Sequence, residues 1–438
     1  MLKFLRKRRR QTMQKPEANK QTWMEYERNK QLPFAKEENE QELYDSTVQR
    51  LLKQTVGGNR QDTIVKPNEL WGAPHIQQEQ AFSDLNYVDQ FAQPASAAEE
   101  LLLDIRGLEV QLQAKKPLTV IDSIDLTVKQ GEIIGIVGES GCGKSVLSLS
   151  IMGLLADGMH IQDGEIWYQS RPMHQFTAEQ VRRLRGKELA MIFQDPLTSL
   201  NPSLTIGQQL TEMLRRHLRF EKQQANREAI RLLQRVELPR PEALLKAYPH
   251  QLSGGMRQRV MIAIALSCGP KLLIADEPTT ALDVTIQADI LDLLRQIRDE
   301  DQTSILLVSH DLGVIAELCD RIAVMYAGQI VEQGTVDELF DSPKHPYTEG
   351  LLKSIPSPAK KHERLYAIPG VVPALHERGE GCRFYSRCHL ASDICLKHQP
   401  ALIGLGGQHA VRCFAAEQEG RISNGVSAPA TSTAIGRN

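Results

Sequence analysis

The chain has 438 residues, with 52 Lys and Arg against 54 Asp and Glu, so its formal net charge is −2. This length predicts two or three domains with a large core and excludes a small scaffold held by disulfides. The nearly balanced charge gives no indication of a nucleic-acid partner. The longest apolar runs, such as Met261 to Leu266, are far shorter than the roughly 20 residues of a membrane-spanning helix, so we do not expect the chain to cross a membrane.

The first 100 residues are rich in Gln, Glu, Lys and Asn and have no sustained apolar period, which predicts a mostly disordered extension. The basic start, from Lys3 to Arg10, could contact anionic lipid headgroups or form a solvated tail, and the solvated tail is the simpler interpretation. No apolar stretch follows the basic start, so a secretory signal peptide is not expected. A reducing, cytosolic compartment is expected instead.

From Leu101 onward, strand and helix patterns alternate, which predicts an α/β domain over residues 101–341 with a mixed, mostly parallel core sheet. A helical subdomain is predicted at about 201–270, because apolar residues share helix faces there. The predicted elements are, in chain order, a strand at 133–137, a helix at 144–155, helices between 201 and 250, a strand at 271–275, a helix at 287–298 and a strand at 304–308.

The C-terminal part of the sequence has a different character. Six prolines lie between residues 343 and 373, and they predict an extended connector rather than a helix. Residues 342–416 form a small region with clustered cysteines, and residues 417–438 are predicted to be a disordered tail.

A glycine-rich turn joins the first of these strands to the helix that follows, and it matches the phosphate-loop pattern G-x-x-x-x-G-K-[ST]. Its residues are Gly138, Glu139, Ser140, Gly141, Cys142, Gly143, Lys144 and Ser145. The glycines let backbone amides converge on phosphates at a helix start, Lys144 would reach the outer phosphates, and the Ser145 hydroxyl would ligate magnesium. A chance Lys-Ser after a glycine turn is the alternative, and the strand-to-helix setting disfavours it.

Two carboxylates, Asp276 and Glu277, end a later apolar strand. The carboxyl edge of a parallel sheet is where α/β proteins bind ligands. Asp276 would hold magnesium, while Glu277 would orient and polarise the attacking water. Taken alone, the pair would more simply be a solvated strand end, but together with the phosphate loop it predicts a hydrolytic site.

The segment Leu252-Ser253-Gly254-Gly255-Met256-Arg257-Gln258-Arg259 resembles the signature motif of ABC ATPases, and its Ser253 and glycine amides would offer donors to a γ-phosphate. Other motifs of that family follow in the expected order: Gln194 in the Q-loop, Ala281-Leu282-Asp283 as the D-loop and His310 as the switch histidine. The resemblance implies an ABC-type ATPase fold, catalytic roles for Glu277 and His310, magnesium contact by Gln194 and nucleotide contacts by Gly254, Gly255 and Asp283.

The same resemblance implies a closing dimer, in which the signature of one subunit faces the phosphate loop of a second, homologous or identical ATPase. Family members usually stack adenine on an aromatic residue upstream of the phosphate loop. The corresponding stretch here, residues 115–120, has no aromatic residue, so Leu118 could provide an apolar contact instead.

Four cysteines, Cys382, Cys388, Cys395 and Cys413, are spaced C-x5-C-x6-C-x17-C. Four thiolates suit zinc or an iron–sulfur cluster, and four unligated thiols are the third possibility. The set resembles that of dipeptide and oligopeptide importer ATPases, which implies a [4Fe-4S] cluster, with Zn²⁺ as the alternative. The remaining cysteines are scattered through the ATPase domain and are expected to be unligated.

The importer resemblance extends over about residues 101–414 and is carried by residues 193–202, 278–287, 345–348 and 370–373. It implies that the chain binds and hydrolyses ATP with Mg²⁺ on the cytoplasmic face of the inner membrane. Its partners would be two transmembrane permease subunits, a second ABC ATPase and, indirectly, an extracytoplasmic peptide-binding protein. A soluble ABC ATPase of translation or DNA repair and a nickel-type importer ATPase remain as alternatives.

Overall fold

The computed structural model describes residues 101–280, 282–355 and 366–417, except for the side chains of Leu197 and Val284. The disorder predicted for residues 1–100 and for the tail after Glu417 lies outside the described residues, as does Ala281 of the predicted D-loop. Within these ranges, no helix is long and apolar enough to span a membrane.

Strands and helices alternate along the described chain. The strands are β1 (Leu101–Leu112), β2 (Leu118–Lys129), β3 (Ile133–Val137), β4 (Met159–Tyr168), β5 (Arg171–Pro172), β6 (Leu189–Ile192), β7 (Leu272–Asp276), β8 (Ser304–Val308), β9 (Arg321–Tyr326), β10 (Gln329–Thr335), β11 (Ile403–Gly406) and β12 (His409–Val411). The α-helices are α1 (Lys144–Met152), α2 (Ala178–Leu184), α3 (Pro196–Ser199), α4 (Ile206–Leu218), α5 (Lys222–Arg235), α6 (Pro241–Leu244), α7 (Gly254–Leu266), α8 (Val284–Asp301), α9 (Leu312–Leu318), α10 (Val336–Asp341), α11 (Pro346–Lys353) and α12 (Asp393–Lys397).

The described residues divide into two compact units, each assembled from separate stretches of sequence. The first unit contains Ile134–Lys144 and the described residues from Ser309 onward. The second contains the described residues up to Ile133, together with Ser145–Val308.

The second unit contains an antiparallel sheet, in the order β2-β1-β4-β5, and the parallel strands β6, β7 and β8. Every residue of β7 and β8 is buried, which accounts for the nearly continuous apolar sequence of both strands. In β1, by contrast, the buried Leu103 and Ile105 flank the more exposed Asp104, as burial of one sheet face requires.

Helices α4 and α5 of the second unit pack against each other. Thr205 begins α4 with a capping box, in which its hydroxyl accepts from the amide of Gln208 at 3.2 Å and its own amide donates to the Gln208 side chain at 2.8 Å. The apolar faces predicted from the sequence are mostly buried. They comprise Ile206, Leu210 and Leu214 in α4, with Met213 half-buried, and Ala225, Ala229, Leu232 and Leu233 in α5, followed by Val236.

The first unit contains a mixed sheet. β3 and β9 are parallel, and β9, β10, β12 and β11 continue from them as antiparallel neighbours. β3 and β9 are buried along their whole length. Parallel and antiparallel pairs thus occur together, as the sequence predicted.

Gly135 allows the middle of β3 to approach α9 closely. A Cβ atom at this position would lie 2.8 Å from Cδ1 of Ile315 and 3.0 Å from Sγ of Cys319. Overpacking a dense core in this way costs about 1–3 kcal/mol. We therefore expect Gly135→Ala to lower the free energy of unfolding by that amount in urea denaturation. Gly404→Ala is the matched control, because its Cβ atom would meet nothing within 4 Å, and an equal loss in both variants would contradict the packing argument.

The prediction of an extended connector after Ser342 is wrong at the start of that stretch, because Pro346 begins helix α11. Proline is favourable in the first turn of a helix, where its missing N–H has no helical partner in any case. His345 caps this helix, since its Nδ1 atom accepts from the amide of Tyr347 at 3.1 Å. A proline therefore marks a helix start here rather than a helix-free stretch.

Candidate functional site

The phosphate loop begins where β3 ends, in the first unit. Gly138 is required at its first position, because a Cβ atom there would collide with the carbonyl oxygen of Met325 and lie 2.8 Å from Sγ of Cys142. The Cys142 carbonyl in turn accepts from the amide of Gly328 at 2.8 Å. The turn between β9 and β10 is therefore hydrogen-bonded to the phosphate loop.

Lys144 is the first residue of α1, and its side chain is buried against its own loop. The ammonium group donates to the carbonyl oxygens of Gly138 at 2.8 Å and Glu139 at 3.1 Å. Burial raises the pKa of Cys142, although the neighbouring Lys144 acts in the opposite direction. The loop thus holds one buried positive charge at a helix start, an arrangement suited to binding phosphate.

The two predicted carboxylates lie at the end of β7, in the second unit. Asp276 is buried and pairs in register with Val308 of β8. Glu277 follows with a positive φ of 46°, and its amide donates to the Val308 carbonyl at 2.9 Å. A non-glycine residue in the left-handed region costs about 1–2 kcal/mol, and such residues cluster at functional sites.

The Glu277 carboxylate is oriented by two neighbours. Its Oε2 atom accepts from Nε2 of Gln194 at 3.0 Å and from the hydroxyl of Thr280 at 2.8 Å. Gln194 and Glu277 were predicted as separate site residues, and the structure brings them into direct contact. Thr280 was quoted only as part of a longer family motif, so its role as a hydrogen-bond donor was missed.

The predicted signature motif begins helix α7. Ser253 is the N-cap, and its Oγ atom accepts from the amide of Met256 at 3.4 Å. Ser253 and Gly254 are exposed, whereas Gly255 is buried, where a Cβ atom would come within 2.8 Å of Cδ1 of Ile286. Ser253 and Gly254 are thus exposed at the start of a helix, the end that favours anions.

The signature helix and the predicted D-loop are each held by side-chain hydrogen bonds to nearby backbone groups. Gln258 in α7 donates from Nε2 to the carbonyl oxygen of Pro278, directly after Glu277, at 2.7 Å. Asp283 caps α8, since its Oδ1 atom accepts from the amides of Thr285 at 3.1 Å and Ile286 at 3.0 Å. The role that the structure gives to Asp283 is therefore that of a helix N-cap.

His310 follows β8 and is exposed. The preceding residue, Ser309, donates its amide to the Ile136 carbonyl at 3.1 Å, which places His310 at the same strand edge as the start of the phosphate loop. Within the first unit the structure therefore brings His310 and the loop from Gly138 to Lys144 to one edge. The other predicted nucleotide-site residues, Ser145, Gln194, Ser253, Gly254, Gly255, Asp276, Glu277 and Asp283, belong to the second unit.

The four C-terminal cysteines occupy one neighbourhood of the first unit. The Cys382 amide donates to the Cys395 carbonyl at 2.7 Å. Burial raises the pKa of Cys382 to about 11; the amide of Phe384 opposes this, and the thiols of Cys395, Cys388 and Cys413 add to it.

The structure does not support the predicted metal-binding character of this region. Among the described residues, no group of three or more His, Cys, Asp or Glu side chains is arranged to hold a metal ion. Thiolate ligands must converge on one point, about 2.3 Å from a zinc ion, whereas electrostatic influence between thiols extends over longer distances. The cysteines are near one another without forming a ligand cage.

Sequence reasoning also missed two residues that contact the phosphate loop from the C-terminal region. Tyr347 accepts a hydrogen bond from the Glu139 amide, and Arg387 forms an ion pair with the Glu139 carboxylate. Arg387 is 248 positions away from Glu139 in the chain. No local pattern in the sequence connects residues at such a separation.

Two stretches of the chain match known families. Residues 121–280 match the ABC transporter family, and residues 331–395 match the C-terminal region of oligopeptide/dipeptide transporters. The oligopeptide transport ATP-binding protein AppD of Bacillus subtilis is 52% identical over 321 residues, which cover 73% of this chain and 98% of that protein. The dipeptide transport ATP-binding protein DppD of Escherichia coli is 46% identical over 313 residues, covering 71% and 96%.

Among solved structures, the chain is similar to the ATP-binding cassette MJ0796 in a dimeric post-hydrolysis state bound to ADP and Pi. The match has 26% identity and a TM-score of 0.49, and it covers 53% of this chain and 98% of that one. The family assignment rests instead on the curated relatives, which align along nearly their whole length. The chain therefore belongs to the ATP-binding subunits of oligopeptide and dipeptide ABC transporters.

Proposed function

We propose that this chain binds and hydrolyses ATP, with Mg²⁺, to drive the import of dipeptides or oligopeptides through a membrane transporter. The observation that carries the proposal is the orientation of Glu277 at the end of a buried parallel strand by Gln194 and Thr280. The phosphate loop and the names of the relatives AppD and DppD support the same conclusion.

Each of the predicted site residues would have a separate role in ATP hydrolysis. ATP would supply the phosphoryl group, whose charge a bound Mg²⁺ would neutralise. Lys144 and the amides of the phosphate loop would bind the phosphate tail, and Ser145, Gln194 and Asp276 would hold the metal ion. Glu277 would orient the attacking water and accept its proton, with His310 as the second catalytic side chain.

The exposed signature at the start of α7 supports a dimer. Ser253 and the amides after it would bind the γ-phosphate of a nucleotide held by a second ABC ATPase, so one chain would provide half of each site. ATP would close this dimer and hydrolysis would open it. Two permease subunits, and indirectly an extracytoplasmic peptide-binding protein, would complete the assembly, with this chain peripheral on the cytoplasmic face of the membrane.

For the C-terminal cysteines we keep the [4Fe-4S] assignment as a proposal, with Zn²⁺ as the alternative. Its support is the chemistry of the four thiol donors and the backbone hydrogen bond of 2.7 Å that joins Cys382 to Cys395. Iron and zinc analysis after anaerobic purification decides between the two metals.

Affinity purification of the tagged full-length chain from detergent-solubilised membranes tests the transport assignment. We expect two permease subunits and a second ATPase to co-purify. Recovery with ribosomes or DNA, and without permeases, would overturn the assignment in favour of a soluble ABC ATPase. Recovery with a nickel-binding rather than a peptide-binding protein would replace the substrate and leave the motor role intact.

A further inference from the structure

The C-terminal region holds Glu139, the second residue of the phosphate loop, at two points. The Glu139 amide donates to the hydroxyl of Tyr347 at 2.9 Å. The Glu139 carboxylate accepts two hydrogen bonds from Arg387, at 2.8 Å from Nη1 to Oε2 and at 3.1 Å from Nη2 to Oε1. Such a bidentate pair fixes orientation as well as charge.

Arg387 is itself rigidly placed. Its side chain is only 4% exposed, and its Nε atom donates to the carbonyl oxygen of Pro369 at 2.7 Å. The guanidinium carbon lies 5.6 Å from the ring centre of Tyr326 and 5.9 Å from that of Phe384. Burying a charge is unfavourable unless it is paired, and the Glu139 carboxylate provides the opposite charge for Arg387.

The aromatic residues connect both contacts to the cysteine-bearing segment. Phe384 packs on Tyr326 and Tyr347, with ring centres 5.1 Å and 5.5 Å apart. Phe384 lies between Cys382 and Cys388, and Arg387 directly precedes Cys388. The segment from Cys382 to Cys388 therefore packs against the loop that would carry the nucleotide.

The charge of Glu139 gives this packing a consequence for binding. An unpaired carboxylate inside a phosphate loop would repel an anionic ligand, and Arg387 neutralises it. The bidentate pair also restricts the conformations of the loop before the ligand arrives, and such preorganisation increases affinity.

We propose that Arg387 is a positioning residue of the phosphate loop, which makes nucleotide affinity depend on the folded state of the segment from Cys382 to Cys388. This inference rests on the proposed ATP site and adds to it a route by which the C-terminal region controls that site. Disruption of the segment would release Glu139 and weaken nucleotide binding, although no residue of the segment is assigned a contact with the nucleotide.

The test measures binding of a fluorescent ATP analogue with Mg²⁺ to the full-length chain, purified anaerobically, at a temperature well below unfolding. Arg387→Gln is expected to raise the Kd about tenfold. The double variant Arg387→Gln with Glu139→Gln is expected to recover most of that loss, because the unpaired carboxylate is then gone. Arg387→Lys keeps the positive charge but cannot form the bidentate pair, so its Kd should lie between those of the wild type and Arg387→Gln.

Arg412→Gln is the matched control. Arg412 is a buried arginine of the C-terminal region, and it donates to the carbonyl oxygens of Ile330, at 3.1 Å, and Pro400, at 3.2 Å. A merely structural role for Arg387 predicts that both variants lower the melting temperature and have equal nucleotide affinity. The proposal predicts that only Arg387→Gln weakens binding.

Hydrogen exchange supplies a second readout, because coupling between two sites is reciprocal. Mg²⁺ with ATP should slow amide exchange in residues 382–388 of the wild type and have a smaller effect in Glu139→Gln. Equal nucleotide affinity of wild type and Arg387→Gln would overturn the inference alone. Absence of nucleotide binding by the wild type would overturn the proposed function, and this inference with it.

Discussion

Glu277→Gln is expected to lower ATP turnover by the assembled transporter by about 100-fold to 10,000-fold, the range attributed to a general base. Glutamine has the same size and keeps an oxygen that can accept from Gln194 and Thr280, so the local structure should persist. It cannot accept a proton from water at neutral pH. Nucleotide binding should therefore remain close to wild type while phosphate release, measured in steady state and in a single turnover, is nearly lost.

Glu300→Gln is a suitable control for the loss of one carboxylate. Glu300 lies in the same unit, its side chain is 64% exposed, and it pairs with Arg235 at 3.3 Å. Its turnover should stay within about twofold of wild type, since exposed ion pairs contribute little. Steady-state turnover that is retained in Glu277→Gln would remove Glu277 from the mechanism and would favour another base.

Lys144→Ala is expected to weaken binding of Mg²⁺ and ATP by about 100-fold or more. The buried ammonium group donates to two loop carbonyls, and in the bound state these donors would turn to the phosphates. Hydrogen bonds to charged groups contribute about 1.5–3 kcal/mol each, so the loss of two accounts for a change of that size. Isothermal titration calorimetry at fixed magnesium concentration measures the effect directly.

Lys271→Ala separates this effect from a general loss of positive charge. Lys271 belongs to the second unit, whereas Lys144 belongs to the first. The Lys271 side chain is 49% exposed, and its Nζ atom lies 3.7 Å from Oε2 of Glu188. The same net-charge change at this position should leave affinity within about twofold. If Lys144→Ala bound nucleotide as tightly as Lys271→Ala does, the phosphate loop would not be the binding site.

Local signals in the sequence predicted a large part of the fold. The bounds of β3 and β8 were predicted without error, because a short buried parallel strand is a continuous apolar run with polar residues or glycine at its ends. The phosphate loop and the Asp276–Glu277 pair followed from the same reasoning, since both are sequence-local. Pro346 was misread because proline disfavours a helix interior but favours a helix start, and the pattern alone does not distinguish the two.

The parts of the site that escaped prediction depend on contacts between distant residues. The Gln194 and Glu277 side chains meet across 83 positions, and Glu139 and Arg387 across 248. The [4Fe-4S] cluster implied by the cysteine pattern is not supported by the described residues, because spacing does not determine the loop conformations that decide whether the sulfur atoms converge. The residues that contact the proposed catalytic groups were therefore harder to predict than those groups.

The left-handed backbone at Glu277 has a consequence for protein engineering. Glycine and asparagine adopt this conformation at lower cost than glutamate, so the residue to which we assign the proposed chemistry is not the one that the backbone favours. A variant library screened only for heat resistance would tend to fill the position with those residues. Such a screen would enrich variants that are more stable but do not hydrolyse ATP, so it has to be combined with a measurement of ATP turnover.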